Sequence, residues 1–365
     1  MGVRAGLRRL ARCGCVGTCG SPQTPEQCGG EVASKVVGLR RFAMTVERGE
    51  EFGFAPAHDA PIPYMERIRE YYLALGYGTP YLWAHYIGVP FQPLKKPLAQ
   101  SRIAIVTTAA PYQPDKGDQG PGAPYNSAAK FYKVYSGETS RDHDVRIAHV
   151  GIDRRHTTAE DSGTWFPLPE LRRAAARGRI GVVARRFHGL PTNRSHRVTL
   201  ETDCPEIVAR CRADGVDAVL LVPNCPVCHQ SVSLAARALE EAGIATIVMG
   251  CAKDIVEYAG VPRFLFSDFP LGNAAGRPKD LGSQAFTLEL ALRVLETAPG
   301  PRTSVQSPLV WSANPDWKLD FQNIAQMSAE EIARRRAEFD KQKAVAKDLR
   351  EEAGVTRGSA KEEVA

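Results

Sequence analysis

The sequence has no uninterrupted apolar run approaching the roughly 18 residues that a membrane-spanning helix needs. It has no Walker A loop, no GxGxxG following a strand, no HExxH and no GxSxG, so the common phosphate, dinucleotide, zinc-protease and hydrolase signatures are absent. Gly117-Asp118-Gln119-Gly120 is too short to cradle a phosphate. No repeat of fixed period is present, which excludes solenoids and propellers. Over most of its length the chain also lacks a charge excess. Of the net charge of +6, +5 falls within residues 1–43, where seven basic residues face only Glu26 and Glu31; the remainder carries 40 basic and 39 acidic residues. Such a balance gives no footprint for nucleic acid or an anionic membrane. A secretory core is missing as well, because Leu7 to Val16 is broken by Arg8, Arg9 and Arg12. A cytoplasmic protein with reduced thiols is expected. Residues 1–43, which hold Cys13, Cys15, Cys19 and Cys28, read as a mis-assigned start in preference to a metal-binding leader, with Met44 opening ordinary text.

What is present is a globular composition: 365 residues, 43% hydrophobic and 24% charged. Beyond the leader, residues 44–100 suggest one helix, with Met65, Ile68, Tyr72 and Leu75 at helical spacing, followed by a proline-punctuated extended arm. From 101 to 298 short β-rich runs alternate with helical ones, the pattern of an α/β fold with an open, mainly parallel, doubly wound sheet and helices on both faces. The expected strands are 103–107, 145–150, 181–184, 216–222, 244–249 and 263–267. The expected helices are 167–177, 205–214, 231–242, 254–258 and 283–295. Gly215 and Gly243 sit where helix-to-strand turns need a left-handed residue. Residues 299–365 read as a linker followed by a charged C-terminal helix that Ser328 caps.

The informative motif is Cys225-Pro-Val-Cys228-His229-Gln230, placed where the most apolar strand ends and a helix begins. That edge of a parallel sheet is where ligands bind. The unpaired N–H groups of the helix start also favour a thiolate over a thiol. Two chemistries fit: a redox dithiol, or a zinc or iron–sulfur site that draws in Cys251 at the end of the next strand, with His229 beside Cys228. CxxCH is also the attachment pattern of c-type haem, but that needs an exported chain and an open pocket beside the motif, and here a strand core precedes it. Cys204 and Cys211, seven apart on one helical face, read as small core residues.

Other polar residues are expected at the same sheet edge. Thr107, Thr108 and Tyr112 follow the first strand, with a Gly/Pro-rich loop at 111–124 suited to a lid or a partner contact. Asp153, Arg154, Arg155 and His156 follow the second strand, Arg185, Arg186 and His188 the third, and Asp268 the last. Together they outline a polar, cationic pocket for a carboxylate-bearing small molecule.

The run from Val216 through the CPVCHQ motif, the segment Arg237 to Thr246, and Asp268-Phe-Pro-Leu-Gly-Asn-Ala-Ala-Gly-Arg-Pro resemble the selenoprotein B family of glycine, sarcosine, betaine and D-proline reductases. Asp144 to Thr158 and Phe166 to Leu171 fit the same pattern, so the resemblance covers about residues 101–297. It implies an oxidoreductase that cleaves a C–N bond reductively, a dithiol ending as a disulfide. Written in reverse, X–H and Y–H join into X–Y with a disulfide as acceptor. It also implies a partner reductase subunit, in some cases carrying a pyruvoyl group, or a thioredoxin-like electron donor, and hence a homo- or hetero-oligomer. In that family a selenocysteine attacks the substrate carbon, whereas this chain has cysteine at both positions. A thiolate is the weaker nucleophile, so the selenoenzymes' substrates do not carry over. Cys228 is assigned the attacking position, Cys225 the resolving one, and His229, Cys251, Asp268, His156, Tyr112 and Arg186 supporting roles.

Overall fold

A computed structural model describes residues 60–79, 81–192, 195–352 and 354. The basic leader with its four cysteines, Met44 and the text up to residue 59 lie outside these residues. In chain order the elements are α1 (Tyr64–Ala74), β1 (Arg102–Thr107), β2 (Ala110–Pro111), β3 (Tyr135–Glu138), β4 (Val145–Arg146), α2 (Leu168–Ala176), β5 (Val182–Val183), β6 (Arg186–Gly189), α3 (His196–Val198) and α4 (Cys204–Ala213). There follow β7 (Ala218–Val222), α5 (Pro226–Glu241), β8 (Ala245–Gly250), α6 (Lys253–Ala259), β9 (Arg263–Phe266), α7 (Leu281–Thr297), β10 (Thr303–Gln306) and α8 (Ala329–Glu352). No helix among the described residues is long and apolar enough to cross a membrane.

The apolar runs become the centre of an α/β sheet because a strand covered on both faces has no polar side to present. The order is β10-β9-β8-β7-β1-β6-β3, with β5 also paired to β1, and only the edge strand β3 runs antiparallel. Alternate residues serve opposite layers. Ile103, Ile105, Leu220, Ile247 and Leu265 pack with α1, α2 and α7, whereas Val106, Val219, Leu221, Val248 and Phe264 pack with α4 and α5. Cys204 and Cys211 belong to that second layer, where burial pushes both thiols up to about 12. Gly215 and Gly243 take φ of +62° and +84° after α4 and α5, the left-handed geometry expected of them.

The path of the chain creates a crevice. From β1 it passes to β5 and β6 on one side, then α4 carries it back across β1 to β7, after which strands add stepwise through β8, β9 and β10. The direction of winding therefore reverses at β1. Such a switch point leaves the carboxyl ends of its neighbouring strands uncovered.

Several expectations need correction. Residues 145–150 do not form a strand of the main sheet; only Val145–Arg146 is extended, and it pairs antiparallel with β2 in a separate ribbon. The place beside β1 is taken by β5 and β6 instead. The third strand does not end at 184. It is interrupted there, where Thr139 Oγ1 donates to the Ala184 carbonyl at 2.5 Å, and resumes through Gly189. Arg186 and His188 consequently lie within the strand and not beyond it. The 299–315 stretch, read as linker, contributes β10 at the sheet edge, parallel to β9. Helix α5 begins five residues before the expected Ser231, which places both motif cysteines at its start. Residues 81–97 form neither helix nor strand. Ser328 caps α8 as expected, its Oγ accepting from Glu331 N–H at 3.2 Å.

Candidate active site

The site starts from the local rules for beginning a helix. Cys225 is the N-cap of α5, in extended geometry, and its Sγ accepts the Cys228 N–H at 3.3 Å. Pro226 occupies the first helical position, where a missing N–H loses nothing. The next turn brings Cys228 back beneath Cys225, and the two Sγ atoms lie 2.7 Å apart. This is closer than ordinary sulfur contact and needs only a small shift to reach a disulfide bond of about 2.05 Å.

Three other segments close around the pair, two of them from strand ends at the switch point and one from the loop after the β2–β4 ribbon. Thr108, just after β1, accepts both the backbone and side-chain N–H of Asn224 on Oγ1, each at 3.1 Å, so its own hydroxyl proton is left to face Cys228. Thr192, after β6, places Oγ1 3.2 Å from Cys228 Sγ. His149, beyond the ribbon, brings a ring nitrogen within 4.8 Å of both sulfurs. The approach of this last loop depends on Gly151, because a Cβ there would lie 2.8 Å from Pro226 Cδ and 3.5 Å from Cys225 Cβ.

The two thiols share their protons unequally. Burial opposes charge on Cys228, but hydrogen bonds from the Cys225 thiol, His149 and Thr108, with the charge of His149, outweigh it and hold Cys228 well below the usual thiol range. Burial, and then the proton shared with Cys228, push Cys225 well above that range. The two sulfurs titrate as one unit that shares a proton, with Cys228 the more readily ionised of the two.

A cleft reaches one sulfur of the pair and not the other. Its volume is about 420 Å³, and it is lined at its inner end by Cys225, Pro226, His149, Gly151 and Thr192, while Cys228 does not line it and has no exposed surface. Tyr72, Tyr77, Tyr81, Tyr125 and Tyr132 form much of the wall, and Lys130, Lys343, Lys347 and Arg350 supply positive charge. Among the described residues no Asp or Glu lines the cleft. Arg154 stands close behind, bound to the Val150 carbonyl at 3.2 Å; burial lowers it to about 10, against the influence of Tyr125 and Cys225.

The other expected residues are placed elsewhere. Both ring nitrogens of His229 are occupied: Nδ1 meets the Cys225 carbonyl at 2.8 Å and Nε2 accepts the Cys251 N–H at 2.9 Å. The proton is therefore on Nδ1, and burial lowers the ring to about 4, keeping it neutral. His229 ties the end of β8 to the start of α5 and has no nitrogen to offer a metal. The Cys251 thiol, pushed up by burial, is engaged by the backbone of Asn273 and Phe269 and does not join the sulfur pair. Asp268 is held by Lys318. His156 sits between Asp153 at 3.0 Å and Asp320 at 3.1 Å. Tyr112 is exposed and stacks under Arg146. Arg186 grips Asp214 from the first position of β6, three residues short of the strand's carboxyl end. None of these four lines the cleft.

Sequence reasoning missed His149, Thr192 and the basic residues of α8. The available signal for His149 was its place inside the family-like segment Asp144 to Thr158, obscured by reading it as strand interior. Nothing in the local text of 343–350 marks a cleft wall, since its neighbours there are distant in sequence.

No protein-family model matches the chain. No solved structure matches it. The chain is 30% identical over 223 residues to D-proline reductase subunit gamma of Acetoanaerobium sticklandii, covering 60% of this chain and 89% of that protein. Glycine reductase complex component B subunit gamma of Carboxydothermus hydrogenoformans is 26% identical over 215 residues, 57% of this chain and 48% of that one. The protein of the same name from Peptoclostridium acidaminophilum is 24% identical over 281 residues, 71% and 63% respectively. The chain spans less than two thirds of the length of these glycine reductase subunits. With 89% of the D-proline reductase subunit matched, the chain belongs to the family of reductase-complex subunits that contains D-proline reductase subunit gamma and glycine reductase component B subunit gamma.

Proposed function

We propose that the chain is the dithiol-bearing subunit of a cytoplasmic reductase that cleaves the C–N bond of a small, carboxylate-bearing amine. The observation that carries this reading is the contact of 2.7 Å between the sulfurs of Cys225 and Cys228 at the inner end of a cleft without acidic residues. The basic residues of the wall suit a carboxylate, and the tyrosine faces suit an amine or ammonium group. The names of the relatives supply the reaction class.

Cys225 is the residue that meets the substrate, and Cys228 is its base and its resolving partner. As Cys225 sulfur bonds to the substrate carbon, its proton passes to the Cys228 thiolate, and the C–N electron pair leaves with nitrogen, which takes a proton. Cys228 then loses its proton and attacks Cys225 sulfur. The disulfide forms, and the carbon leaves with the S–C electron pair and is protonated. In sum a thiol, a thiolate, one proton and one C–N bond become a disulfide, a C–H and an N–H. A thioredoxin-like donor or a partner subunit returns the two electrons, so the working form is a hetero-oligomer.

The test traps the intermediate. Reduced protein is exposed to small-molecule extract of its own cell, and tryptic peptide 213–237 is weighed; it carries Cys225 and Cys228 and no other cysteine. The expected result is a substrate adduct on Cys225 that accumulates in Cys228→Ser. An adduct absent from both proteins, or lodged on Cys228 alone, contradicts the assignment.

A further inference from the structure

The disulfide chemistry leaves one feature of the site unexplained. His149 is 5% exposed, and its Nδ1 is buried without a hydrogen-bond partner. A polar nitrogen left that way is unfavourable. This ring also supplies the third corner of a compact donor set. One of its nitrogens and the sulfurs of Cys225 and Cys228 lie within 4.8 Å of one another, all three side chains buried. The donors come from separate directions: His149 from the loop after β4, Cys225 from the cap of α5, and Cys228 from its first turn. His149 and Cys225 also line the cleft, so a fourth direction stays open to it.

We infer that the reduced site binds one zinc ion through His149, Cys225 and Cys228, with its fourth position facing the cleft. Two thiolates and an imidazole with an open position form the donor set of zinc sites that bind an exchangeable ligand, not of closed structural ones. Binding removes the proton that the cysteines share and any proton on the ligating nitrogen of His149, so that two thiolates and a neutral imidazole meet the metal. The sulfurs must part by about 1 Å, since tetrahedral bonds of about 2.3 Å set them about 3.8 Å apart. Cys225, on the cleft wall, has the room for that movement. The electron pairs that bind zinc are those that form the disulfide, so metal and disulfide exclude each other. Zinc therefore holds the dithiol reduced and keeps substrate from it until a chelator or an oxidant removes the ion. This set replaces the one expected from sequence, because His229 and Cys251 are committed elsewhere.

Cobalt(II) is the visible probe. Reduced, metal-free full-length protein is titrated with it, and zinc is then added. The expected result is one equivalent bound with thiolate-to-cobalt charge-transfer bands, lost on adding zinc. Affinity should fall at least roughly 10-fold in His149→Ala, stay unchanged in Cys251→Ala, and vanish after oxidation. Absent bands, bands indifferent to His149→Ala, or bands lost in Cys251→Ala overturn the inference. If His149→Ala does not fold, His149→Gln serves, and loss of cobalt binding on oxidation of the unaltered protein carries the test. Disulfide formation is read separately, in chelator, so failure to bind metal and failure of the reductase reading give different results.

Discussion

Helix α5 has a buried polar pair at each end, Glu240 with Arg263 near its last turn and Cys225 with Cys228 at its first. At the C-terminal end the Glu240 carboxylate accepts from Arg263 Nη1 at 2.8 Å, Thr246 N–H at 2.6 Å and Thr246 Oγ1 at 2.8 Å, and its second oxygen accepts from the Gln92 N–H. Arg263 lies 4.1 Å over the Phe91 ring and donates to the Gln92 carbonyl at 2.8 Å. Neither residue lines the cleft. At the N-terminal end the sulfurs face each other and a cleft reaches Cys225. A buried carboxylate that accepts four hydrogen bonds away from any cleft holds elements together. A buried charge shared between two groups, with one side open, is placed to react.

Substitutions should separate the two ends. The largest effect is expected from Cys228→Ser, which removes disulfide formation and reductive turnover altogether, read by thiol alkylation and by turnover. Next comes Arg263→Ala, which strands Glu240 in the interior. Stability should drop by about 3–5 kcal/mol while the alkylation rate of Cys225 in the native state stays the same. A drop in Cys225 reactivity here would mean that the two ends are coupled. Gly151→Ala should destabilise by about 1–3 kcal/mol and also slow disulfide formation, because the added methyl meets Pro226 and the Cys225 Cβ.

The smallest effect is a pH dependence, measured in chelator. Cys228 is depressed in the folded state, so it adds stability that is complete above the unfolded thiol value of about 8.5 and is lost as pH falls through its folded value. Cys225 is raised, so its contribution is complete below about 8.5 and is lost as pH rises through its own folded value. Wild-type stability relative to the Cys225→Ser, Cys228→Ser double variant should therefore be greatest near pH 8.5 and decline on both sides. A difference that does not vary with pH would place no charge on the pair.

The comparison also explains what the sequence could reveal. β7 was legible because Ala218 to Val222 is buried on both faces, and a doubly covered strand must be apolar throughout. The cysteine motif was legible because its spacing and its position after such a strand are local facts. β3 and β10 were not, since Tyr135–Glu138 and Thr303–Gln306 are half-exposed edge strands with little apolar text. The grouping of residues at the sheet edge failed for Arg186 because the interrupted strand continues past it, and for His156, Asp268 and Tyr112 because ion pairs and ring contacts hold them elsewhere. His149 and the wall from α8 depend on contacts between segments far apart in the chain. A reading by residue pattern has no access to those.

The most direct test oxidises reduced, chelator-treated protein stepwise in a glutathione redox buffer, alkylates the remaining thiols and weighs peptide 213–237. The account predicts that Cys225 and Cys228 pass together into a disulfide, with the loss of two hydrogens, while Cys204, Cys211 and Cys251 remain alkylatable once the protein is unfolded. Cys225 and Cys228 both staying reduced when the buffer is fully oxidising, or either of them pairing with another cysteine, would contradict it.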